Sequence, residues 1–73
     1  MTTRVLNGAT VKQIREALGI TQRDLASRCE ITQGALSNIE RGVHGTTPQM
    51  NRRLADELGV PLDSITYPVQ VPA

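Results

Sequence analysis

The stretch from Thr21 to Arg41 leaves this chain few ways to fold, because it reads as two short amphipathic helices joined by a tight turn. Thr21 and Thr32 each stand just before an apolar-periodic run, where a hydroxyl can accept from the free amides at a helix start. Leu25, Ala26 and Cys29 make one inward stripe, and Leu36 and Ile39 another, at the three- and four-residue spacing of a helix face. The small Ala26 lets the second helix cross close over the first, and Ile31 in the turn plugs the corner between them. Gln33, Gly34, Ser37, Asn38 and Arg41 are left on the outside of the second helix. That face has no large apolar group and can enter a groove.

The flanking sequence reads as further short helices. Residues 1–9 lack helical periodicity, and Asn7-Gly8 is a turn signal, so they are expected to form a flexible arm carrying Arg4. Thr10 to Gln13 has the form of a capping box, which predicts a first helix from Thr10 to about Leu18, burying Val11, Ile14 and Leu18 and ended by Gly19. Gly42 closes the reading helix, and residues 43–46 form a loop. Thr47-Pro48 opens a fourth helix with Met50, Leu54 and Leu58 as its buried stripe, Gly59 ends it, and Pro61 to Ile65 suits a short fifth. Residues 67–73, with two prolines and alternating valines, read as an extended tail, either loose or a dimer contact. The expected fold is all-α: a compact bundle of about five short helices over residues 10–66, with helices 2 and 3 at its centre.

At 73 residues the chain is one domain, near the lower limit at which a core alone holds a fold. It has no Phe or Trp and one Tyr, so the core is aliphatic, which disfavours an aromatic platform for single-stranded nucleic acid. A single cysteine excludes an internal disulfide, and no long apolar run offers a signal peptide or membrane span; a cytoplasmic protein is expected. Net charge is only +1, but residues 1–29 carry five bases and two acids, whereas residues 54–73 carry three acids and no base. A basic end and an acidic end, and so an oriented approach to phosphate, are expected.

Two capped helices with a polar outer face on the second form the pattern of a DNA-reading helix-turn-helix. The segment resembles the lambda-repressor-like, Cro-type family of the xenobiotic-response-element (XRE) class, and the resemblance extends over most of the chain. It rests on Gln22 and Gln33 opening the two helices, Leu25-Ala26 early in the first, and Glu40-Arg41-Gly42 after the second. The run from Leu54 through Gly59-Val60-Pro61 to Ile65 resembles the family's closing helices. Two departures stand out. Glu30 occupies the turn position that usually holds Gly, and Gly34 occupies one where the family often places a base-reading side chain.

The resemblance implies roles for named residues. Gln33 would offer a bidentate amide to adenine, with Ser37 and Asn38 reaching a neighbouring base or phosphate and Gly34 bringing its backbone close. Gln22 would donate to phosphate beside the free amides of its helix start, and Thr32, Arg41, Thr46 and Thr47 would face the DNA backbone, with Arg23, Arg52 and Arg53 as flanking clamps. Arg15 and Glu40 match positions that family members hold as a structural ion pair. Cys29 reads as a small core residue, and His44 has no second ligand at metal-binding spacing. The serines lack a neighbouring base, so no catalytic constellation, metal site or cofactor is expected.

The reading is a sequence-specific regulator of double-stranded DNA, most simply a phage Cro or repressor-like protein occupying an operator as a homodimer. An antitoxin that represses its own operon and binds a toxin through the tail is an alternative. A protein-interaction module that uses the fold without DNA is another, favoured by Gly34 and the low net charge.

Overall fold

The computed structural model describes residues 2–70. A strand, β1 (Thr2–Leu6), leads into four helices: α1 (Gly8–Ala17), α2 (Gln22–Arg28), α3 (Gln33–Glu40) and α4 (Pro48–Leu58). One 3₁₀ turn over Leu62–Ser64 follows, and the chain returns as β2 (Thr66–Gln70), antiparallel to β1, with Leu6 opposite Thr66 and Thr2 opposite Gln70. The all-α expectation of about five helices is therefore corrected to four helices and a two-stranded sheet. Residues 71–73 of the expected tail lie outside the described residues.

Helix starts follow the hydroxyl and amide side chains. The Oγ1 atoms of Thr21, Thr32 and Thr47 accept from the backbone amides of Asp24, Ala35 and Met50 at 3.0, 3.0 and 3.1 Å, and Pro48 fills the first position of α4. The start of α1 differs from the expected capping box. Asn7 is its N-cap, accepting from the amide of Thr10 at 3.2 Å, so the helix begins before Thr10. Asparagine is among the strongest N-cap residues, and Gly8 behind it permits a contact that no other residue would allow. A Cβ on Gly8 would lie 2.2 Å from the carbonyl oxygen of Ile39, at the last turn of α3. The expected flexible arm over residues 1–9 is thus replaced, from Thr2 onward, by β1 and by the first turn of α1, residue 1 lying outside the described residues.

Gly19 and Gly59 take positive φ where α1 and α4 end, and Glu30 carries φ 59° in the corner between α2 and α3. The glutamate accepts there the left-handed conformation that glycine would adopt without cost.

Val11, Leu25, Leu36, Leu54 and Ile65 are fully buried, with Ala26, Cys29, Ile39, Ala55 and Leu58 around them. Ile14, Ile31 and Met50 pack against this cluster half-buried. Leu18 does not join it and is 54% exposed, because α1 ends before it and the turn at Gly19 brings Ile20 to the core instead. The fifth helix contracts to a single turn: Thr66 donates its hydroxyl to the carbonyl of Leu62 at 2.8 Å, and the chain goes straight into β2. The inner face of the sheet seats Leu6 against the core, while the amide of Asn7 donates to Ile65 at 2.7 Å.

Candidate nucleic-acid interface

Ala26, only 2% exposed, sits where α2 meets α3, and Ile31 is half-buried in the corner. With its inner residues so committed, α3 presents Gln33 and Gly34 fully outward, with Ser37 and Asn38 half-buried and Arg41 exposed just past the helix.

A chain of side-chain hydrogen bonds runs from this outer face into the interior. Gln33 Nε2 faces Gln22 Oε1 at 3.5 Å, and Gln22 Nε2 donates to Glu40 Oε1 at 3.1 Å. Glu40 also receives Arg15 Nε on Oε2 at 2.7 Å and Arg15 Nη2 on Oε1 at 3.1 Å. The third guanidinium nitrogen of Arg15 donates to the carbonyl of Ile20 at 3.0 Å. Arg15 and Glu40 are 8% and 5% exposed, and the hydrogen bond to Glu40 raises the Arg15 pKa above its ordinary value while burial opposes the rise. A bidentate buried pair with all three guanidinium nitrogens engaged is a rigid joint between α1 and the end of α3. Gln22 links that joint to Gln33 on the outer face.

The other expected contacts are distributed unevenly. Arg41 donates to Asn38 Oδ1, which pairs two residues of the outer face. Arg23 is exposed on α2. Thr32 and Thr47 use their hydroxyl oxygens as helix caps, and Thr46 donates to the buried Asn51. Arg52 is exposed and borders a cleft of about 260 Å³ with Thr3, Arg4 and Pro48, on the sheet side of α4 and apart from the Gln22–Gln33 network.

Two further cations have internal partners. Arg53 donates to the carbonyl of Arg28 at 2.6 Å, closing the end of α2, and pairs with Glu57 at 3.4 Å, so it is a structural link between helices instead of the expected phosphate clamp. Arg4 binds Thr66 Oγ1 at 2.8 Å and Asp63 at 3.2 Å. It is held on the sheet, and it offsets the acidic end that the linear charge pattern had suggested.

Sequence reasoning missed Gly8, whose contact with α3 leaves no local signal beyond a turn dipeptide. It also missed the double role of Gln22, which reaches Glu40 only once α2 and α3 have crossed. Burial raises the Cys29 thiol above its ordinary pKa and keeps it in the neutral form suited to a core residue. Among the described residues no three His, Cys, Asp or Glu side chains gather as a metal site, and no helix is long and apolar enough to cross a membrane.

Two capped helices around a positive-φ corner, with the second helix turned polar side outward, define a helix-turn-helix protein. A helix-turn-helix family model matches residues 11–65, and the chain belongs to that family, in its XRE-type branch. Two structures of the clp gene regulator ClgR from Corynebacterium glutamicum are 29% identical to it, with TM-scores of 0.74 and 0.72. Each match spans 75% of this chain, and 58% and 71% of the respective ClgR chains. The restriction-modification controller protein C.AhdI from Aeromonas hydrophila has the same fold at 23% identity and a TM-score of 0.74, over 78% of this chain and 83% of its own. A search of curated protein sequences finds no match.

Proposed function

We propose that this protein is a transcriptional regulator that binds double-stranded DNA by laying α3 in the major groove, and that it occupies an operator as a pair of copies. The observation that carries the reading is the linked set Gln33–Gln22–Glu40–Arg15. An exposed amide at the start of the reading helix is oriented by a second amide, which is itself fixed by a buried ion pair. Such an amide is preorganised to bond a base edge, adenine being the natural partner of a bidentate glutamine.

In this reading Ser37 and Asn38 reach a neighbouring base or phosphate, and the N-terminal turn of α3 approaches closely at Gly34. Arg41 and Arg23 contact phosphate on either side, with Thr32, Thr46, Thr47 and Arg52 lying along the backbone path. The likeness to ClgR, a clp gene regulator 29% identical to this chain, supports regulation as the task. One eight-residue reading helix reaches few bases, so useful specificity calls for two copies on half-sites about 34 Å apart.

The test is selection from a random duplex pool at near-physiological salt, repeated with Gln33→Ala. A short two-fold-symmetric consensus is expected, with the substitution costing about 1 to 3 kcal/mol at one position of each half-site. Absence of any enriched sequence would overturn the reading in favour of a protein partner.

A further inference from the structure

The small sheet has two unlike faces. On the inner face Leu6 packs on the core, Thr66 is buried, and Arg4 is tied to Thr66 and Asp63. On the outer face, Thr3 stands opposite Val69 and Val5 opposite Tyr67. Val5, Tyr67 and Val69 are 37%, 46% and 36% exposed, and they account for three of the five exposed large apolar side chains among the described residues. A fourth, Val43, is 60% exposed on the loop that follows α3. That loop, the end of α3 and the sheet enclose a cleft of about 430 Å³ bordered by Val5, Tyr67, Ile39 and His44. The apolar face therefore adjoins the C-terminal end of the reading helix.

We infer that this outer face, centred on Val5, Tyr67 and Val69, is the surface on which a second copy of the chain packs when two copies occupy DNA. The inference rests on the proposed DNA reading and names the joint that reading needs. Three physical points favour a second copy as the occupant. Each copy leaves the apolar side chains of Val5, Tyr67 and Val69 in water, and packing against a like surface buries them. The face carries no charge, so two identical copies meet across a two-fold axis without repulsion, as a self-complementary joint requires.

The third point is that strand addition at the β2 edge of the sheet is disfavoured. Because Asn7 donates to Ile65, the alternation of an antiparallel ladder makes Val5–Tyr67 and Thr3–Val69 the hydrogen-bonded pairs. Pro68 then turns its missing donor to the outer edge of β2 and blunts it. The apolar face offers a partner what this edge does not.

The size of the face sets the strength of the joint. Five-residue strands at about 3.3 Å per residue, two abreast, offer on the order of 150 to 200 Å². A stable interface needs about 800 Å² per partner. The copies are therefore monomeric when free at micromolar concentration and pair when a duplex holds both at high local concentration.

The test combines cross-linking with cooperativity, using the full chain. Val5→Cys and Tyr67→Cys are each treated with a bifunctional maleimide, with and without a duplex carrying two half-sites, and Glu16→Cys on the exposed side of α1 serves as the collision control. In parallel, the double variant Val5→Lys, Tyr67→Lys is titrated against one-half-site and two-half-site duplexes. Support is dimer formed through positions 5 or 67 at about ten times the control on the two-half-site duplex, together with unchanged half-site affinity and lost cooperativity in the lysine variant. Unchanged half-site affinity also shows that the variant is folded. Cross-linking no greater than the control, or cooperativity retained by the lysine variant, would overturn the inference. If the parent chain selects no duplex at all, the DNA reading falls by itself. Cross-linking at several hundred micromolar without DNA then decides the surface by the same comparison with Glu16→Cys.

Discussion

Glu40 is the residue on which stability and recognition converge, since it binds Arg15 twice and Gln22 once from a site 5% exposed. Glu40→Ala leaves the Arg15 guanidinium buried without its counter-charge, and a loss of about 3 to 5 kcal/mol is expected in urea unfolding, with weaker DNA binding alongside. The double change Arg15→Met, Glu40→Leu is expected to recover most of the stability but not the binding, because Gln22 still lacks its acceptor. Two glycines separate in the same way. Gly8→Ala drives a methyl into the backbone of α3 and is expected to destabilise by about 1 to 3 kcal/mol or more. Gly34 meets nothing within 4 Å of a Cβ, so Gly34→Ala is expected to stabilise α3 by up to about 1 kcal/mol in the same assay. A simultaneous fall in DNA affinity would show that the bare backbone there serves a close approach to the groove.

Among the elements, the helix-turn-helix and the sheet differ in what makes them form. The starts of α2 and α3 are local events: a threonine hydroxyl, an apolar stripe and a small residue at the crossing suffice. The start of α1 depends on two candidate caps that lie three residues apart. Asn7→Ala is expected to cost about 1 kcal/mol in thermal unfolding, and Thr10→Ala only a small fraction of that, because Asn7 alone bonds the first turn. β1 has no strand signal strong enough to stand without its partner. It forms because Ile65, fully buried, anchors the return of the chain and holds Thr66 onward against it.

At the scale of the whole molecule, charge is arranged by contacts more than by position along the chain. Arg4, Arg28 and Arg53 have acidic partners, whereas Arg23 on α2 and Arg41 just past α3 are exposed and have no ion pair among the described residues. Neutralising Arg41 or Arg23 is therefore expected to reduce the slope of log affinity against log salt by about one unit each. Neutralising Arg53 is expected to leave the slope unchanged and lower stability instead. Filter binding across a salt series separates the two outcomes.

Much of the reading unit was legible along the chain because its causes are local. Helix caps, the periodicity of Leu25, Ala26, Leu36 and Ile39, and the polar remainder of α3 all act within a few residues. The sheet and the internal use of Arg4 and Arg53 depend on contacts between residues 25 to more than 60 positions apart. A pattern of neighbouring residues carries no record of such contacts. They are settled when β1 and β2 pair, Gly8 admits the close approach of α1 to α3, and Ile65 is drawn into the core.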